Sequence, residues 1–408
     1  MFAVLFYAAW LLAVASSHPF SRPKAPCPPF GNGTITIDSY QLYPENVDFD
    51  EQSCLLCKYL RRLDIGALYN ASVVVYDPYE GSIVSTIEFS NITRTVPFHI
   101  GGVAWDPYAS RGRGGRAGAD EITILVDAAP AHETAGRDVS GDNYILRWDA
   151  AAGRVLWAAN LTAVSGGRYG GPQDVEHDAR GNVYVLGTYP GTLLRVSGGG
   201  GGGGGGVVVE EWYVPAAPDH EVVGYTGLAA ADETTLLVAD ARGGGGGGGG
   251  GGSGGKGGAL YRFDMGAARG VPTPVPIAYP SANDDDDDDD VIRPGDAIYL
   301  PPKYGREVLL IAEHGAGVSV LRSGTVVVAG KGGGGGWRSA EFLGRIPNPA
   351  DVAASGGLVT AAVEIAGSVF MVEEWFTDAL VPGTSAGNRT SFPLVDITAQ
   401  LDALVKPR

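Results

Sequence analysis

Seven polar side chains stand at like places in a phrase that the chain repeats: Glu45, His99, Gln173 with its neighbour Asp174, Thr226, Asp296 and Asp351. Each comes at the opening of a short strand-like run. Carboxylates brought together from distant parts of a chain can hold a hard cation through oxygen. An imidazole, an amide and a hydroxyl beside them would add hydrogen-bonding groups for a ligand. The same residues can instead bond backbone N–H groups and waters, and the sequence leaves both readings open. Other signals are thinner. Asp138, Asp142 and Asn143 in RDVSGDN look like a fragment of a Ca²⁺ loop, but no bidentate Glu closes a twelve-residue loop, and turn chemistry accounts for them as well. Glu313-His314 has the composition of an acid–base pair, although a lone pair at a strand end reads as structural. Cys54-Leu-Leu-Cys57 has redox or metal spacing, yet no second Cys/His pair stands at ligand spacing. No Gly-x-Ser-x-Gly elbow, His-Glu-x-x-His or phosphate loop occurs outside the trivial matches of glycine tracts.

The elements that must position these residues are short strands. In Pro172–Val196 an alternating run leads into a turn at Gly181-Asn182. A β-branched run follows, then a turn at Pro190-Gly191 and another run. That is a meander of antiparallel hairpins. Six copies of the phrase are present, opening near YPENVDFD, GGVAWDPY, PQDVEHD, TGLAAAD, DAIYLPP and DVAAS. From Asp174 to Gly227 is 53 residues, or 44 without the nine glycines at 198–206. A period of about 40–50 residues with several strands per period is that of a propeller blade. The fold class expected is therefore all-β, a six-bladed β-propeller over 40–400. The blades fall near 40–95, 96–165, 170–218, 219–280, 291–347 and 348–400, and a tail remains at 401–408. The innermost strand of each blade would open at a central channel, which is where the seven polar residues would gather. The last strand of the ring can come from Thr34–Ile37 at the front or Leu394–Ile397 at the back.

Residues 3–15 form a short uncharged apolar run ending in Ala13-Val14-Ala15, which suits a secretory leader over 1–17. Thirteen residues fall short of the roughly 20 needed to span a bilayer. A Pro-rich arm follows at 18–39. Five Asn-x-Ser/Thr sequons, at Asn32, Asn70, Asn91, Asn160 and Asn388, agree with the secretory route. A secreted, extracellular, glycosylated chain is expected. Cys27, Cys54 and Cys57 make an odd set. Oxidising conditions would bond Cys27 to Cys54 or to Cys57 and pin the arm to the first blade. Gly198–Gly206, Gly243–Gly252, Gly332–Gly336 and Asp284–Asp290 fall between strand-like runs. They read as disordered loop insertions, which cost only slowly more with length. The aspartates carry 7 of the net charge of −17. The remaining acidic balance argues against nucleic-acid partners and against an anionic membrane. The partner expected is a small-molecule metabolite or a host component, and the chain is expected to be a monomer.

Several of these phrases carry a family likeness. YPENVDFD, GGVAWDPY, RDVSGDNY, GRYGGPQDVEHDARGNVYVLGTYPGTLLRV, ALYRFDM and DAIYLPPKYG together resemble the trichothecene biosynthesis protein 14-like family from about Tyr40 to Trp375. The glycine and aspartate tracts depart from that family's pattern. The resemblance implies a filamentous fungus and a binding or accessory role in secondary metabolism, plant colonisation or virulence, with no defined reaction. More distantly, the blade order is similar to the gluconolactonase and senescence-marker group of six-bladed metal-dependent hydrolases. That likeness implies a divalent cation such as Ca²⁺ held by Glu45 and Asp296, with Gln173-Asp174 near the substrate. It implies as the alternative function a metal-dependent lactonase- or esterase-like hydrolase. Thr226 stands where that group has an Asn ligand, so the cation site it implies is a weak one.

Overall fold

The computed structural model describes residues 27–31, 33–50, 62–109, 121–198, 206–242, 258–280, 291–324 and 336–406. The expected leader, the sequon at Asn32, Cys54, Cys57 and nearly all of the glycine and aspartate tracts lie outside them.

Among the described residues the first element is strand β1 (Ile35–Asp38), and the chain then runs through six small sheets. Blade one is β2 (Pro44–Phe49), β3 (Leu63–Ala67), β4 (Ser72–Asp77) and β5 (Ser82–Ile87). Blade two is β6 (Phe98–Trp105), β7 (Glu121–Ala128), β8 (Tyr144–Asp149) and β9 (Arg154–Asn160). Blade three is β10 (Gly170–His177), β11 (Val183–Tyr189), β12 (Thr192–Ser197) and β13 (Val208–Tyr213). Blade four is β14 (Tyr225–Ala230), β15 (Thr235–Asp240), β16 (Ala259–Asp264) and β17 (Thr273–Pro274). Blade five takes β18 (Ile277–Ala278) as a parallel addition to β22 (Ala340–Ile346), after β19 (Ile298–Tyr299), β20 (Val308–Ala312) and β21 (Val318–Ser323). Blade six is β23 (Leu358–Ile365), β24 (Ser368–Glu374) and β25 (Ser391–Asp396), completed on its outside by β1.

Both ends of the chain thus close the ring. Ile35 pairs with Leu394 and Asp38 with Ser391 in one antiparallel ladder. Ile37 and Phe392 are fully buried there. The sequence left the closing strand to either terminus, and the fold uses one from each.

A β-strand presents alternate residues to opposite faces, and here both faces are apolar. On β11, Tyr184 and Leu186 pack toward blade four, while Val183 and Val185 pack toward blade two. An apolar core lies between each adjacent pair of blades around the whole ring. No blade could bury both of its faces alone, so blade-to-blade contact carries the hydrophobic stabilisation.

Two outer segments are firmer than the sequence suggests. Most of the residues expected as a tail at 401–408 belong to helix α4 (Thr398–Val405), whose Leu401 is fully buried against blades five and six. The N-terminal arm is anchored by Phe30, edge-on to Tyr79 and Phe370, and by the Tyr79 hydroxyl donating to Pro28 O at 2.6 Å. Cys27 is disulfide-bonded. Among the described residues no helix is long and apolar enough to cross a membrane.

Candidate functional site at the channel mouth

The innermost strands of five blades carry a register shift at the same end. The shifts fall between Pro44 and Val47, Ile100 and Gly102, Pro172 and Asp174, Tyr225 and Gly227, and Val359 and Ala361. A bulge leaves one residue out of the ladder and re-aims it. In blades one, three and four this turns Glu45, Gln173 and Thr226 into the mouth of the channel. Blade two has Gly101 at that place, where a side chain would press on Pro172 O and Asp127 Oδ1. His99 comes in from the ladder instead, paired with Asp127.

These residues line one cavity of about 740 Å³. Of the seven sequence candidates, Glu45, His99, Gln173, Thr226 and Asp296 form its wall. Asp174 does not. It points to a smaller cavity of about 230 Å³, where Oδ2 accepts the Leu228 N–H at 3.0 Å and Oδ1 accepts the Val175 N–H at 2.8 Å. Asp351 is elsewhere altogether. Residues 350–354 fold into helix α3 (Ala350–Ala354) after Pro349, and Asp351 sits exposed in its first turn. Blade six opens later, with Thr360 at its bulge.

Sequence reasoning missed most of the wall. Asp127, Thr188 and Tyr189, together with His314, which the sequence marked only as a partner of Glu313, come from the ends of second strands or the residues after them. In an antiparallel hairpin that end lies beside the start of the first strand. A readable signal existed: the apolar runs of EITILVD, VYVLGT, TLLVAD and VLLIAEH each end in a polar residue. His132, from helix α1 (Pro130–Glu133), and the rim residues Phe376 and Leu380 carry no such pattern. Leu380 is 64% exposed and Phe376 39%, so the lip of the cavity is apolar.

A hydrogen-bonded chain crosses the mouth from blade three to blade five. The Thr188 hydroxyl donates to Gln173 Oε1 at 2.7 Å, and Gln173 Nε2 donates to Asp296 Oδ1. Asp296 Oδ2 lies 3.2 Å from His314 Nε2. His314 adopts a left-handed backbone with φ of 48°. It is held there by reciprocal backbone bonds to Val359, each 3.1 Å. The hydrogen bond to Asp296 raises the pKa of His314 above its ordinary range.

The rest of the polar floor is buried and only partly bonded. Glu45 Oε2, Thr226 Oγ1 and both Asp127 oxygens have no hydrogen-bond partner among the other described residues. Burial pushes the Glu45 carboxyl well above its usual range, and the nearby Asp296 pushes it further. Burial likewise raises Asp127 to about 7. His99 and His132 are lowered to about 4, again chiefly by burial. Burial thus disfavours charge on Glu45, Asp127, His99 and His132, which surround one Asp296–His314 pair.

The implied cation does not fit these residues. Both Asp296 oxygens are already engaged by Gln173 and His314. Thr226 offers a neutral hydroxyl, and hard-cation affinity follows ligand charge and number. Among the described residues no group of three or more His, Cys, Asp or Glu is arranged to hold a metal ion. The RDVSGDN segment is turn and strand chemistry: Asp138 Oδ1 accepts the Ser140 N–H, and Asn143 Oδ1 accepts the Ala128 N–H at 2.8 Å.

Six small sheets in a ring, with a cavity at one mouth of the central channel, make this chain a six-bladed β-propeller. No protein-family model matches it. It is similar over nearly its whole length to trichothecene biosynthesis protein 14 of Trichoderma arundinaceum, 29% identical over 392 residues, 93% of this chain and 92% of that one. It is also similar to core trichothecene cluster protein 14 of Fusarium sporotrichioides, 26% identical over 395 residues, 93% of this chain and 89% of that one. Among solved structures, the major allergen Mala s 1 of Malassezia sympodialis superposes with a TM-score of 0.59 at 17% identity, covering 90% of this chain and 96% of that one. That last likeness concerns the fold alone.

Proposed function

We propose that this protein is an accessory protein of fungal secondary metabolism that binds a small molecule at the mouth of its propeller channel. The similarity to two trichothecene-cluster proteins along nearly the whole chain supports the metabolic setting. One observation carries the binding role. A cavity of about 740 Å³ joins an apolar lip, Phe376 and Leu380, to a floor where Glu45 Oε2, Thr226 Oγ1 and both Asp127 oxygens are buried without hydrogen-bond partners among the other described residues. Ligand sites combine apolar walls with a few convergent polar groups in this way. Buried polar groups without partners call for something to meet them.

The same proposal places the protein outside the cell that makes it, as a glycosylated monomer. Asn91 and Asn388 are exposed. The side-chain nitrogens of Asn70 and Asn160 are instead bonded to Gln41 O and Asp142 Oδ1. Cys27 is in the bonded state that oxidising compartments sustain. A part in plant colonisation or virulence would follow from the metabolite it serves. Deleting the gene and profiling secreted metabolites tests the setting. A changed yield or pattern of trichothecene-type or related products is expected, and an unchanged profile under producing conditions would contradict it.

A further inference from the structure

We propose that His314 occupies the place that a divalent cation would take at this mouth, so that the site meets its ligand through an imidazole rather than through a metal. This deepens the reading of the mouth as a ligand cavity and rests on it.

The geometry starts at Asp296. Its carboxylate is 7% exposed and is fastened by hydrogen bonds from blades three and five at once. An ion entering there would have to displace Gln173 from Oδ1 or His314 from Oδ2. Displacing Gln173 would also strand its Oε1 partner, the Thr188 hydroxyl. A carboxylate only accepts hydrogen bonds, so the facing Nε2 must carry the proton. The second ring nitrogen, Nδ1, has no hydrogen-bond partner among the described residues. The imidazole is 44% exposed and forms part of the cavity wall.

The backbone holds the ring in that place. A left-handed φ in a residue other than glycine is costly and persists only where the surroundings impose it. Here the two bonds to Val359 impose it, fixing the turn after β20 against blade six. The arrangement is that of an oriented imidazole: a ring held by a carboxylate, which is held by an amide, which a hydroxyl holds in turn. The other acids of the floor do not supply a replacement ion site. Glu45 and Asp127 line the same cavity, and among the described residues no group of three or more His, Cys, Asp or Glu is arranged to hold a metal ion. The ligand class this suits is an uncharged, hydroxyl-bearing apolar molecule. Its hydroxyl can donate to a neutral Nδ1 or accept from a protonated one, while its skeleton rests against Phe376 and Leu380.

Calorimetric titration of Ca²⁺, Mg²⁺ and Zn²⁺ into metal-stripped full-length protein tests the assignment. No saturable binding is expected in the wild type. Saturable binding, at least tenfold tighter than any trace seen in the wild type, is expected in His314→Ala, where Asp296 is released. Should that variant fail to fold, nitrogen-15 NMR of the wild-type histidine rings gives an independent answer. A protonated Nε2 on His314, with shifts unmoved by added metal, is expected. Stoichiometric metal in the wild type that is lost in Asp296→Ala would overturn the proposal, as would an unprotonated Nε2 on His314 or His314 shifts that follow the metal. Such a result would leave the mouth a ligand cavity, because the metabolite profile tests that reading separately.

Discussion

Asp174 Oδ2 accepts the backbone N–H of Leu228 at 3.0 Å, fastening the innermost strand of blade three to that of blade four. Two residues further along, Glu176 Oε2 accepts the Ala230 N–H at 3.0 Å. In blade one, Asp48 Oδ2 accepts the Trp105 N–H of blade two at 2.8 Å. The innermost strand of a blade has an unpaired edge, and its buried N–H groups need partners. Carboxylates from the neighbouring blade supply them, which gives the acidic residues of these innermost strands a structural role.

Asp174→Ala should therefore destabilise the ring. The buried Leu228 N–H would be left unmet, at about 1–3 kcal/mol for each such group. Asp174→Asn keeps a side-chain oxygen in place and should lose less. Denaturant unfolding of both variants checks this, and an Asp174→Ala protein as stable as wild type would count against the clamp.

The acid content of the core sets a pH dependence. Burial raises Asp48 and Asp127 to about 7, and Asp64, Asp174 and Glu373 to about 8. Groups raised in the folded state contribute stability that is full below their unfolded pKa and lost as pH climbs through the folded one. Burial lowers His99, His132 and His177 to about 4, so their contribution is full above 6.5 and lost on acidification. Above pH 6.5 the acids change, and His314, raised by its hydrogen bond to Asp296, changes in the same direction. The melting temperature should fall from pH 6.5 to pH 8.5 at constant ionic strength, and scanning calorimetry showing a flat or rising trend would disagree.

Arg147 is the hub of a second buried cluster. It donates to Glu121 at 2.8 Å, to Thr123 at 2.7 Å and to Asp106, and it contacts His177 Nε2 at 2.9 Å across the blade two–three boundary. Removing one partner of a buried pair costs about 3–5 kcal/mol because the other charge is left uncompensated. Arg147→Leu should lose that much stability. Arg147→Leu combined with Asp106→Leu should recover part of it. A single variant within about 0.5 kcal/mol of wild type, the usual range for a surface change, would remove the hub.

Ring closure predicts the effect of truncation. Without β1, the buried Phe392 and Leu394 lose their outer neighbours Ile35 and Ile37. A chain starting after Asp38 should unfold at a lower temperature and expose apolar surface to a hydrophobic dye. Unchanged cooperativity would show that three strands suffice for blade six.

The six blades were legible because each strand alternates between two apolar neighbours and each turn is marked by Gly, Pro or Asn. The bulge residues Glu45, Gln173 and Thr226 were legible for the same reason: they open the repeated phrase. Asp351 misled because DVAAS imitates that phrase while Pro349 starts a helical turn. His132, Phe376 and Leu380 were invisible because they come from irregular segments whose positions depend on the whole ring. His314 was visible but had no context, since its partner Asp296 lies eighteen residues away in sequence and only the closing of blade five brings the two together.

The most direct test of the central claim is native mass spectrometry of the full-length protein after incubation with an organic extract of a producing fungal culture. The wild type should hold one small molecule. Thr226→Phe, which fills the floor of the cavity and is checked for folding by circular dichroism, should hold none. An extract that leaves the wild type bare, or an adduct that survives equally in folded Thr226→Phe, would contradict a ligand site at the channel mouth.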